Sequence, residues 1–519
     1  MHLGRQVNVY FRDNKSGEGH GRHALRSGAV SIVARSVNAA IQIGSVLFLA
    51  RLLSPEDYGL VGMVTAITGF APVLVDLGSR DAIVQRARIT EEEVSALFWI
   101  TQAVGIGFAA MIAGGGPLIA HFYGEPRLTM ISVVSSLTFI TSALTAQHYA
   151  LLRRAMKFQE LGIIEVIANF LGASLAVAMA LYGLHYWALV TRPIASAMFL
   201  AAGSWIQCRW IPGRPRLTSE VKSMLRFGLN VTGFTMFDFA GKSADRVAIG
   251  YRTGAASLGY YQNAAFVYDN LIDIIVGPLH GVAVSALSKL RDNYVELRRS
   301  WAKALSTLAF FSAPAFGLLA ATSQDLIVLL LGPKWARSGV LLSILALRGI
   351  PASIERTCGW LHVTAGRTDR WMRWGMALAG AQFVALCLAL PYGPTGIVTA
   401  YVVLMFILFI PAIAYSGRPL NIGAGAVCKV VWRPITAALV ATAAGFVVRG
   451  QVLAHTSLFQ RTALVTLVFV AIYLTIVVGI LRVWAPLQSA WVLVRDVLPH
   501  RYRRLKPATI VDRKNLEHV

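Results

Sequence analysis

The sequence predicts an all-α polytopic membrane protein with about fourteen transmembrane helices, and three observations carry that prediction. The 519 residues are 56% hydrophobic and only 14% charged, where soluble chains carry roughly 25% charge, and the mean hydropathy is +0.60. Apolar runs of about 20 residues, enough to cross roughly 30 Å of hydrocarbon as a helix, recur along the chain. Lys and Arg collect in alternate loops between those runs, the bias that marks cytoplasmic loops.

In chain order, a polar segment at 1–27, rich in Gly, His and Arg, lacks the features of a cleavable signal. It reads as a mobile cytoplasmic extension. Apolar windows then fall near 28–50, 58–78, 94–121, 128–151, 161–182, 184–206 and 223–247, and near 258–288, 301–322, 338–364, 371–391, 394–415, 428–449 and 460–484. Arg153, Arg154 and Lys157 follow the fourth window, and Arg209, Arg214, Arg216 and Lys222 the sixth. Both termini are therefore expected on the cytoplasmic side. The last segment, 485–519, is a basic tail, and its "HRYRRLKP" suits anionic lipid or serves only as a topology signal. The net charge of +23 is scattered through short loops and forms no single stripe, so nucleic acid is not an expected partner.

Helix starts are legible. Ser54, Pro55, Glu56 and Asp57 supply a hydroxyl cap, a proline for the first helical position and two carboxylates for the positive helix end, with Asp57 placed for a capping box. A tight outer hairpin should join the first two helices. Thr90 and Glu93 repeat the logic.

A shift of 200 residues relates the two halves: Arg26, Gly28 and Gly59 fall on Arg226, Gly228 and Gly259, and Asn38, Gln42 and Ser45 on Asp238, Lys242 and Asp245. The expectation is a duplication, with six-helix bundles at 28–206 and 223–415 and two accessory helices at 428–484. Six helices separate the copies, so both insert in one orientation and are related by a pseudo-two-fold along the membrane normal. Alternating-access transporters use this parallel-repeat design, with a site near mid-membrane.

Charges inside apolar spans cost about 2.5 to 3.5 kcal/mol each on insertion scales and normally face protein or water. Arg35, Asn38, Gln42, Arg192, Lys242 and Arg348 are the candidate substrate-binding groups, because guanidinium and ammonium suit an anionic headgroup. Asp76, Asp238, Asp245, Asp269, Asp273 and Glu355 are the candidate ion-coupling groups. Glu165 and His280 are further polar positions in spans. Each could instead staple neighbouring helices, and Asp238 with Lys242 has the spacing of an intrahelical ion pair.

Catalytic and cofactor signatures are missing: no GxxxxGK[ST], no HExxH, and "GIGFAA" lacks the last glycine of a dinucleotide turn. The expectation is a non-enzyme without cofactor or metal. Cys208, Cys358, Cys387 and Cys428 are widely spaced and read as packing residues.

"LARLLSPEDYGLVGMVTAITGFAPVLVDLG", "LLRRAMKFQELGIIEVIA", "LGYYQNA" and "LGPKWARSGVLLSILALRGI" resemble the bacterial O-antigen and exopolysaccharide flippases, the polysaccharide transporter branch of the multidrug/oligosaccharidyl-lipid/polysaccharide exporter superfamily. The resemblance runs from about residue 25 to 485. It implies two six-helix bundles around a central cavity plus two C-terminal helices, and inner-membrane translocation of an undecaprenyl-pyrophosphate-linked oligosaccharide to the periplasmic leaflet. It also implies lipid-linked oligosaccharide, membrane lipids and polymerase or assembly machinery as partners. The alternatives are a drug or peptidoglycan-precursor exporter, or a membrane-embedded polymerase or glycosyltransferase. The resemblance implies no strict motif for the cavity, so the site residues rest on the placement of polar faces.

Overall fold

The computed structural model describes residues 10–11, 20–70, 75–76, 78–86, 88–216, 218–290, 293–420, 422–451 and 456–481. Regular structure among them is helical: α1 His20–Leu52, α2 Pro55–Thr68, α3 Ser79–Gln85, α4 Glu91–Tyr123, α5 Arg127–Ser135, α6 Leu137–Arg154, α7 Phe158–Leu181 and α8 Trp187–Cys208, then α9 Ser219–Lys289, α10 Tyr294–Leu331, α11 Ala336–Thr364, α12 Thr368–Ala389, α13 Gly393–Gly417, α14 Ala424–Gln451 and α15 Leu458–Leu474. Ten described stretches are long and apolar enough to cross a membrane. The helix ends at the 52–55 turn are called outer, following the sequence expectation.

The capping residues act as their types require. The Asp57 amide donates to Ser54 Oγ at 3.2 Å while Asp57 Oδ2 accepts from the Ser54 amide at 2.8 Å, and Thr90 with Glu93 closes the same box on α4. Ser457 with Gln460 forms a third box on α15. α9 is two helical arms, 219–253 and 255–289, broken at Gly254, whose φ of 82° lies where other residues are strained.

The expected span 58–78 does not form as one helix. α2 ends at Thr68 with Gly69 as its cap, and the short α3 follows. Gly69 with Pro72 explains the stop, since proline cannot donate to the helix ladder and biases the preceding residue away from helical backbone.

Packing groups the chain into two compact units: residues 1–268, 323–345 and 376–404 in one, and 269–322, 346–375 and 405–519 in the other. This grouping follows compactness, whereas the bounds 28–206 and 223–415 follow the repeat expected from the sequence. In the first unit α1 packs on α7, α7 on α8, α8 on α6 and α6 on α4. Its inner end holds a core of Ile83, Leu97, Phe98, Leu151, Leu152 and Trp210. His148 is buried there, stacked on Trp205 at 4.1 Å and bonded to the Trp210 carbonyl at 3.1 Å.

Among the described residues of the N-terminal extension, Tyr10 is held by the fold, at odds with the expectation that the extension is mobile. Tyr10 is buried at 2% exposure. Its hydroxyl donates to the Gln207 carbonyl at 3.4 Å and accepts from Lys157 Nζ at 2.9 Å. Burial pushes the phenol above its ordinary pKa while Lys157 pulls it down, so it stays a neutral donor near pH 7. Burying such a ring stabilises by about 1.5–3 kcal/mol. Tyr10→Ala is therefore expected to speed protease cleavage ahead of His20, read by limited proteolysis, with little change in export.

In the second unit α14 packs on α15. The Tyr473 hydroxyl donates to the Phe310 carbonyl at 2.8 Å, and Gly445 lets α14 close on Ala321 and Val465. Arg298 Nε donates to the Leu420 carbonyl at 2.9 Å, tying the start of α10 to the turn after α13.

Candidate functional site

Close approach at the outer end begins with two glycines. A Cβ added to Gly59 would overlap the carbonyl oxygen of Ala255, and one added to Gly259 would overlap that of Pro55. The contact is reciprocal under the 200-residue shift: position 59 meets 255, and 259 meets 55. α2 and the second arm of α9, which the sequence expectation makes equivalent, thus cross backbone against backbone. One turn deeper, Gly62 makes room for the side chain of Gln262.

A third segment closes over this crossing. Trp335, in a single 3-10 turn at Pro333–Trp335, is fully buried and donates through Nε1 to the Ala50 carbonyl at 2.7 Å. Its ring meets Tyr58 edge-on at 5.1 Å and Tyr260 at 6.2 Å. Arg51 donates to the Leu330 and Leu329 carbonyls, both at 2.9 Å, and Lys334 Nζ donates to the Arg51 carbonyl at 2.8 Å. Arg192, half-buried one turn into α8, sits beside Tyr58.

A second polar group runs through the first unit. Asp76 Oδ1 pairs with Arg80 Nε at 3.3 Å and accepts from Ser79 Oγ at 3.2 Å. Arg80 lies over the Tyr149 ring at 5.5 Å, and the Tyr149 hydroxyl donates to Glu165 at 2.6 Å. Gln147 donates to Ser79 Oγ at 3.0 Å and accepts from Thr101 at 3.3 Å. Arg80, Tyr149 and Gln147 are absent from the sequence expectations. Only Arg80 had a local signal, four residues after Asp76.

The remaining expected positions are dispersed. Arg35 and Gln42 are exposed on α1, and Asn38 Oδ1 accepts from Asn169 of α7 at 3.1 Å, the staple that its alternative reading required. Asp245 is buried and accepts from the Tyr261 hydroxyl across the two arms of α9. Asp269 is exposed. The side chains of Asp238, Lys242 and His280 lie outside the described set. In the second unit, Asp273 pairs with Arg356 at 3.4 Å, both well exposed, and Glu355 lies between Arg348 and Arg356 in charge and against Trp374. Among the described residues no cluster of three or more His, Cys, Asp or Glu could hold a metal. A cleft of about 570 Å³ lined by Phe70, Phe122, Phe239, Tyr251 and Phe383 is nearly all apolar and suits hydrocarbon.

Comparison with known proteins adds the family. The chain is similar to the lipopolysaccharide biosynthesis protein WzxC of Escherichia coli (strain K12), 25% identical over 348 residues that cover 65% of this chain and 69% of that one. It is similar to the succinoglycan biosynthesis transport protein ExoT of Rhizobium meliloti (strain 1021), 25% identical over 61% of this chain and 64% of that one. It is also similar to the teichuronic acid biosynthesis protein TuaB of Bacillus subtilis (strain 168), 23% identical over 64% and 70%. Among solved structures it shares the fold of the lipid II flippase MurJ in an inward closed conformation, with TM-score 0.68 at 15% identity, covering 88% of this chain and 99% of that one. An inward-facing MATE family transporter of the MOP superfamily matches with TM-score 0.57 at 13% identity over 75% and 98%. Residues 48–339, more than half of the chain and including both glycine crossings and the Trp335 turn, match the polysaccharide biosynthesis protein family: this is a multi-pass membrane protein of that family.

Proposed function

We propose that the protein is an inner-membrane flippase that carries an undecaprenyl-pyrophosphate-linked oligosaccharide from the cytoplasmic to the periplasmic leaflet by alternating access. The observation that carries the reading is the family match across 48–339, in a chain whose fold is that of membrane transporters. Relatives whose names place them in lipopolysaccharide, succinoglycan and teichuronic acid biosynthesis support a glycan cargo.

In this reading the chain makes fourteen passes with both termini cytoplasmic, in bundles at 28–206 and 223–415 followed by two accessory helices. Arg35, Arg192, Lys242 and Arg348 attract the pyrophosphate headgroup, with Asn38 and Gln42 beside them. The lipid tail stays in hydrocarbon, so the protein shields only sugars and phosphates. A proton or sodium ion binding at one of Asp76, Asp238, Asp245, Asp269, Asp273 or Glu355 biases direction.

The test is a strain lacking this protein, with the lipid-linked intermediate assayed on each face of the inner membrane. Accumulation on the cytoplasmic face is the expected result. Normal arrival in the periplasm without polymerisation would replace the flippase by an enzyme. In the complemented strain, neutralising Arg35 and Lys242 together is expected to abolish glycan export, and retained export would remove the electrostatic capture step.

A further inference from the structure

We propose that residues 209–216, the strap that follows α8, form a binding site for an anionic glycerophospholipid of the leaflet that the sequence expectation makes inner. Arg209 and Arg214 take the headgroup phosphate, and Ile211 meets the start of the acyl chains. The proposal depends on the orientation read from the Lys and Arg bias and not on the cargo.

The strap is held near both ends and in its middle. Trp210 is 1% exposed in the inner core, and its carbonyl accepts from His148 at 3.1 Å. The Gly213 amide donates to Ser95 Oγ at 3.0 Å, and the Gly213 carbonyl accepts from Trp99 Nε1 at 2.9 Å. Arg216 pairs with Glu92 at 2.9 Å.

These bonds fix the depth of the strap. α4 starts at Glu91, so Ser95 and Trp99 lie about 6 and 12 Å along its axis. The apolar window of that helix opens at 94. Gly213 therefore rests against the inner rim of the hydrocarbon span, and the chain climbs back to the first turn of α4 at Arg216. This is the level where headgroups meet acyl chains and where Trp side chains collect.

The outward side of the strap matches that level. The left-handed backbone of Arg209, at φ 52°, ends α8 abruptly, after which Trp210 turns in and Ile211 is left 77% exposed. Arg209 and Arg214 are exposed as well, and neither guanidinium has a partner among the described residues. Of the acids on the facing turn of α4, Glu92 is already neutralised by Arg216 and Glu91 points to solvent. Two uncompensated guanidinium groups on either side of an exposed isoleucine fit a partner that offers phosphate oxygens next to hydrocarbon, which is a lipid at its headgroup. Basic residues scattered in cytoplasmic loops set topology without holding a lipid. Here the arginines are fixed at one depth beside apolar surface.

The experiment titrates purified full-length protein in neutral detergent with dioleoyl phosphatidylglycerol, and with dioleoyl phosphatidylcholine in parallel, read by native mass spectrometry. Arg209→Gln with Arg214→Gln is expected to weaken phosphatidylglycerol binding about twenty-fold, or about five-fold per arginine, and to leave phosphatidylcholine unchanged. Ile211→Ser, with the charge intact, should weaken both lipids. Arg299→Gln with Lys303→Gln takes the same charge from exposed positions early in α10 and should change binding by less than about two-fold.

Equal losses in the two paired variants would reduce the effect to net charge and overturn the site. Tighter binding of a polyprenyl diphosphate than of phosphatidylglycerol at these arginines would assign them to cargo and overturn it too. Neither side chain bonds the protein, so the melting temperature of the pair should match wild type. Should Arg209→Gln disturb its left-handed turn, Arg214→Gln alone, about five-fold weaker, still decides. Glycan export is not measured in this titration, so its failure leaves the flippase reading standing, and failure of that reading leaves the lipid site standing.

Discussion

Replacing Gly59 by Val is expected to reduce glycan export to background, and Gly259→Val to do the same. Inserting extra methyl groups into a packed interior costs about 1–3 kcal/mol when neighbouring side chains can yield. Here the neighbour is backbone, the carbonyl of Ala255 in one case and of Pro55 in the other, and a helix carbonyl has no alternative rotamer. The two helices must separate, which also draws Tyr58 and Tyr260 away from Trp335. Gly107, also inside a helix, has open space where its Cβ would lie, so Gly107→Ala should leave export intact and gain about 0.5–1 kcal/mol of helix stability. Export and apparent melting temperature in detergent, measured for all three, check this. A clear difference between the Gly59 and Gly259 variants would contradict the reciprocity of the contact.

The second large effect is expected at Arg154. Its guanidinium, at 7% exposure, donates through Nη1 to the Ile83 carbonyl at 2.8 Å and to the Arg86 carbonyl. It caps the C-terminus of α3 from the end of α6, where the last carbonyls would otherwise lack donors. Hydrogen bonds to charged groups are worth about 1.5–3 kcal/mol each, so Arg154→Ala should cost roughly 3–5 kcal/mol, with Arg154→Lys recovering part because it retains a cation but not the planar fork. α3 also carries Ser79 and Arg80, so the alanine variant should loosen the Asp76, Arg80, Tyr149 and Glu165 chain along with the fold. A melting temperature in detergent within a degree or so of wild type would contradict this role.

These positions show how much the sequence reveals. Helix starts were legible because a cap is local: Ser54 with Asp57 and Thr90 with Glu93 lie three residues apart, and the boxes formed. The shift of 200 that relates Gly59 to Gly259 was legible because a fixed shift shows in one dimension. That the two glycines touch was not legible, since contact across 200 residues leaves no periodicity. Arg154 read as a topology charge, and its side chain turned out to cap a neighbouring helix as well. The polar site was read least fully. Charges in apolar windows mark positions that need a partner, yet Tyr149 meets Glu165 sixteen residues on, and Asn38 meets Asn169 from another helix. Asp76 with Arg80, four residues apart, has a spacing from which a pair could have been read in the sequence.

The single-residue break at Gly254 sets a limit on chain length. With one residue between the two arms of α9, adding or deleting a residue there turns the second arm by about 100° about its axis. Gly259 would swing out of the crossing and a residue with a side chain would swing in. The sharpest intolerance to insertion should therefore fall on a turn with no chemistry of its own, where what matters is the angular register it hands to the helix beyond it.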